Sequence, residues 1–87
     1  MTLNELRSVL QTILDDEQSP DVDWTKIETR CRQVLGRLQR QGAPDYIDDF
    51  VYVFLDDSEL RHADHEYAKV QHERLRNWLE GSEIIAR

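Results

Sequence analysis

The sequence predicts an all-α fold, a small four-helix bundle with short connections, on three observations. Apolar residues recur at three- and four-residue spacing along most of the chain. The interruptions Gln18-Ser19-Pro20-Asp21 and Gln41-Gly42-Ala43-Pro44 are turn sequences, too short to serve as domain linkers. The one β-branched and aromatic run, Val51-Tyr52-Val53-Phe54, has no second run to pair with as a sheet. An isolated strand would leave its backbone polar groups unpaired, so a helix is expected there too. Eighty-seven residues suit one domain spanning 1–87, with 82–87 as a tail that frays or folds back.

The first helix is expected over about 3–16. Thr2 and Glu5 have capping-box spacing, and Leu3, Leu6, Val9, Leu10, Ile13 and Leu14 share a face. Asp15-Asp16-Glu17 ends it, at the pole where the helix dipole disfavours acids. The second helix, about 23–41, has Asp23 as N-cap, with Val22 and Ile27 spaced as a hydrophobic staple. Its buried stripe is Trp24, Ile27, Cys31, Val34, Leu35 and Leu38, and Gly42 followed by Pro44 stops it.

The third helix is expected over about 44–57, opened by Pro44 in its first turn. The apolar run Phe50–Leu55 gives it more than one apolar face. Tyr46, Phe50 and Val53 form one stripe, while Ile47, Val51 and Phe54 form another. Such a helix is either a central post or turns its spare face to another chain. The fourth helix is expected over about 64–80, with Asp64 as N-cap and a short turn at 58–63 ahead of it. Leu60, Ala63, Tyr67, Val70, Leu75 and Trp78 continue the spacing, and Gly81 is read as the stop.

A chain this short buries only about 60–65 % of its unfolded surface, so its stability is expected to be marginal. Cys31 is the sole cysteine, which leaves no intrachain disulfide and makes self-association the usual remaining support. Residues 1–19 carry acids and lack the apolar core of a secretory signal. No run approaches the ~20 apolar residues of a membrane span. A soluble, cytoplasmic protein is the expectation.

The net charge of −7 is unevenly distributed. Residues 1–25 hold one base and six acids, and residues 26–42 five bases and one acid. Residues 43–66 hold one base and eight acids, and residues 67–87 four bases and three acids. The basic second segment thus lies between two acidic ones and is expected to neutralise them within the bundle. Overall acidity argues against nucleic-acid binding, which needs Lys and Arg to meet phosphates.

Glu59, His62 and His65 are the candidate metal ligands. Residues three apart share a helix face, and imidazole with carboxylate suits a divalent transition metal such as zinc, iron or manganese. With three histidines and eighteen acids in the chain, such spacings also arise without function. His72 reads as an exposed helix residue. A Cys31–histidine nucleophile pair has no supporting glycine-shaped turn, and three glycines exclude a phosphate-cradling loop. No catalytic residue and no cofactor are expected.

The expected function is a non-catalytic protein–protein interaction module, self-associating as a homodimer through the aromatic-rich third helix. The candidate partner-binding residues are Tyr46, Asp49, Phe50, Tyr52, Val53, Asp56 and Trp78. Aromatic side chains supply contact energy at an interface centre, and rim charges steer and select. In size and charge the chain also resembles bacterial immunity and antitoxin proteins. That likeness implies the alternative, an acidic inhibitor whose Asp45, Asp48, Asp49, Asp56, Asp57 and Glu59 meet a basic partner.

Overall fold

Five helices account for nearly all of the described backbone. The computed structural model describes residues 2–42 and 49–85, with side chains of the second stretch as far as Glu80. They are α1 (Leu3–Glu17), α2 (Trp24–Arg40), α3 (Asp49–Asp56), α4 (Ser58–Ala63) and α5 (His65–Ile85). The expected all-α bundle is therefore observed, with its short 58–63 segment formed as a helical turn and a half. The expected start of the third helix, including Tyr46, lies outside the described residues.

The first two helices form for the reasons their sequences give. The Thr2 hydroxyl accepts from the Glu5 amide at 3.1 Å, and the Glu5 carboxylate accepts from the Thr2 amide at 3.4 Å, closing the capping box. The Asp23 carboxylate accepts from the Lys26 amide at 3.1 Å and opens α2. Beyond α2, Gly42 turns the chain at φ 84°, where a Cβ would be strained. Leu6, Leu10, Ile13 and Leu14 of α1 and Ile27, Cys31, Val34 and Leu38 of α2 then bury their faces together. Val51, Phe54 and Leu55 of α3 close the same core, with Leu75 and Leu79 of α5.

The helical phase beyond residue 57 differs from the expected one. Leu60 and Val70 stand 55 % and 54 % exposed, and Ala63 is exposed as well. The inward positions are instead Ser58 and Arg61 of α4, then Ala68, Gln71, His72, Leu75 and Leu79 of α5. Asp64 is the cause. Its backbone is extended (φ −132°, ψ 105°), which breaks the helix and resets the direction of every side chain after it. The Asp64 carboxylate then accepts from the Glu66 and Tyr67 amides at 3.0 and 3.1 Å, starting α5 afresh. Across the same break, the Tyr67 hydroxyl donates to Asp57, and that bond pushes the tyrosine pKa up.

Gly81 does not stop α5, which continues to Ile85. A helical glycine costs about 1 kcal/mol relative to alanine, too little to end a helix when no proline follows. No described helix is long and apolar enough to cross a membrane.

Candidate interaction surface

The third helix presents a narrower face than its composition suggests. Phe50 is half-buried, its ring 6.0 Å from that of Phe54 and 4.8 Å beneath the Arg74 guanidinium. Tyr52 is half-buried against the core, its hydroxyl sealed from water with no hydrogen-bond partner among the described residues. Trp78 packs against the core as well. Val53 stands 45 % exposed, between exposed Asp49 and Asp56. Of the candidate partner-binding residues, the structure gathers Asp49, Val53 and Asp56 into one outward stripe. It turns Phe50, Tyr52 and Trp78 partly inward. Tyr46, Asp45 and Asp48 lie outside the described residues.

The candidate metal residues are divided by the break at Asp64. Glu59 and His62 belong to α4 and His65 opens α5, all three exposed. The His62 ring stacks on Trp24, 5.0 Å between centroids and 9° from parallel, which fastens α4 to the start of α2. Among the described residues no three His, Cys, Asp or Glu side chains gather as a metal site.

Charge is distributed more clearly than apolar area. Arg30 pairs with Asp16 of α1 at 3.1 Å, and Arg32 with Glu28 one turn away at 3.8 Å. Arg37 and Arg40 are exposed, with no ion pair among the described residues. These arginines line an open groove of about 520 Å³ between α2 and α1, floored by Val9 and Val34. The neutralisation expected between segments is thus partial: one arginine of α2 meets α1, and the rest face outward.

The largest departure from expectation is a buried ionic cluster at the bundle centre. Arg61 and Glu17 are fully buried and joined twice, Nε to Oε1 and Nη2 to Oε2, both at 2.8 Å. The guanidinium also donates to the Phe54 carbonyl and lies 3.8 Å over the Phe54 ring. Its Nη2 is 3.8 Å from Cys31 Sγ. His72, buried rather than exposed, places Nε2 2.7 Å from Glu17 Oε1. An ionised carboxylate only accepts, so Nε2 carries the proton in this pair.

Electrostatics follow from the geometry. Burial pushes the Glu17 carboxyl upward, but the hydrogen bonds and charges of His72 and Arg61 outweigh it, and its pKa is lowered. Burial pushes the Cys31 thiol up, which keeps it protonated and unreactive. Both Glu17 oxygens are occupied and Arg61 is sealed from solvent, so the cluster clamps five helices together.

One sequence signal could have located the cluster: Phe54, Ser58 and Arg61 stand at i, i+4 and i+7, continuing the buried face of α3 into α4. Comparison with known proteins finds no matching family model, no similar curated protein and no similar solved structure.

Proposed function

We propose that this chain is a non-catalytic helical interaction module of the cytoplasm that self-associates as a homodimer through α3. The observation that carries this reading is Val53, 45 % exposed on a helix whose Val51, Phe54 and Leu55 are buried. Leu60 on α4 and Val70 on α5 add exposed apolar side chains on two helices that pack against α3. Asp49, Asp56 and Glu59 supply exposed charge around them. Apolar contact with a charged rim is how interfaces divide affinity from selectivity. A small core also gains from association, because a bound partner stabilises the folded state by mass action.

Light scattering across a concentration series tests it. The wild type should reach the mass of a dimer. Val53→Glu should remain monomeric with helical circular dichroism intact, since a carboxylate is costly to bury in an apolar contact. A wild type that stays monomeric throughout, or a Val53→Glu dimer, sinks the reading.

A second reading is the acidic inhibitor. It is favoured by Asp49, Asp56 and Glu59 being exposed with no ion pair among the described residues. It requires a basic protein partner whose affinity falls steeply with salt, as exposed charges are screened beyond about 8–10 Å.

A further inference from the structure

Two stripes of opposite sign share one spacing, the acidic one exposed throughout and the basic one centred on a buried valine. On α3, Asp49, Val53 and Asp56 stand at i, i+4 and i+7, all exposed. On α2, Arg30, Val34 and Arg37 stand at the same intervals and line one groove, with Arg40 a further turn along. Such positions lie on one helix face, about 10 Å from first to last. Each stripe therefore reads charge, valine, charge, negative on α3 and positive on α2.

We infer that the α3 stripe of one copy docks in the α2 groove of a second copy, its valine held between two carboxylate–guanidinium pairs. This rests on the self-association proposed above and names the surface that α3 meets. The groove, about 520 Å³, is open and concave, with apolar Val9 and Val34 at its floor to receive Val53. Gly36 on its wall has nothing within 4 Å of where a Cβ would stand, so a partner helix can come close. Arg37 is exposed without an ion pair among the described residues, and Arg30 spends one Nη1 contact on Asp16, leaving other N–H groups to donate.

Charge at the scale of the chain favours the same pairing. Two copies at −7 repel each other overall, and an acidic surface finds its strongest complement in the basic stretch 26–42. The same net charge disfavours a nucleic acid as occupant of the groove. Because α2 and α3 are packed neighbours, a twofold axis between them makes the contact twice, α3 on the partner's α2 and the reverse. Every substitution in either stripe then acts twice.

Sedimentation velocity on the full chain at low and high salt tests the pairing. The wild-type dimer should weaken by about tenfold or more as salt screens the pairs. Asp49→Arg/Asp56→Arg and Arg30→Glu/Arg37→Glu should each lose the dimer. Mixed one to one, the two variants should regain it, because opposite charges then face each other at both contacts. Arg37→Glu alone keeps the test open if loss of the Arg30–Asp16 pair disturbs the fold, and it too should weaken the dimer by about tenfold or more. Variants that dimerise like the wild type, or a mixture that stays monomeric, overturn the pairing. If Val53→Glu dissociates the dimer while the arginine variants do not, α3 associates elsewhere, and only this inference falls. A wild type that is monomeric throughout removes both.

Discussion

Arg61 keeps its charge where no water reaches it, so its partners must do all that water would have done. Four of its N–H groups are directed at Glu17, Phe54 and Cys31, and the ring of Phe54 lies under the guanidinium plane. A buried ion pair is weak evidence of net stabilisation, because desolvating both charges offsets their attraction. Breaking one is different. Arg61→Ala leaves Glu17 buried with only His72, and should cost about 3–5 kcal/mol in urea unfolding. That rivals the whole stability of a small domain, about 5–15 kcal/mol. Glu17→Leu combined with Arg61→Met should recover most of it, because no charge is then stranded. A single Arg61→Ala loss below about 1 kcal/mol would mean the cluster does not hold the helices. The spacing of Phe54, Ser58 and Arg61 points Arg61 inward, but the pair itself is not legible from local pattern, since Glu17 and Arg61 are 44 positions apart.

At the scale of the element, the segments easiest to read were those with both a cap and an uninterrupted apolar phase. Thr2 with Glu5 starts α1, Asp23 starts α2 and Gly42 ends it, each through a short-range interaction that the residue types specify. In the last third the break falls at Asp64 as its N-cap chemistry predicts, but the apolar phase of Leu60 and Ala63 does not carry across it to Val70, because the extended backbone of Asp64 resets that phase. Gly81 misled in the opposite sense, since propensity is a weak signal without a second one beside it. The candidate surface was legible in part for a related reason. Composition marked α3 as apolar on several sides, but only packing decides that Val53 faces out while Phe50 and Tyr52 lean in. Asp64 therefore carries a prediction of its own. Asp64→Ala removes the acceptor for the Glu66 and Tyr67 amides and should destabilise the fold by about 0.5–2 kcal/mol. Asp64→Asn should retain most of the stability, because the side-chain oxygen survives. Equal losses for both variants in urea melts would show that charge rather than capping matters there.

For the molecule as a whole, the buried cluster links stability to pH. Glu17 is the carboxyl in that cluster whose titration differs between folded and unfolded chains: its pKa lies below its ordinary 4.5 when folded. A carboxyl whose pKa is depressed by folding binds fewer protons in the native state than in the unfolded one. Its contribution is therefore fully present above about pH 4.5 and is lost as pH falls through the lower, folded value. Protonating Glu17 also leaves the Arg61 charge buried beside a neutral acid, so the loss is felt by every helix that meets at the cluster. Acid has an opposing effect at the surface, where neutralising exposed carboxylates relieves the repulsion within a chain of net charge −7. The two are separable by one substitution. Glu17→Gln retains the shape of the side chain and one accepting oxygen but cannot titrate, while all surface carboxylates remain. Urea midpoints measured from pH 7 down to pH 3 should fall more steeply below pH 4.5 for the wild type than for Glu17→Gln, and the two curves should approach each other at the acid end. Parallel curves over that range would mean that acid acts on the surface charges alone. The buried clamp would then be a packing device without a role in the protein's response to pH.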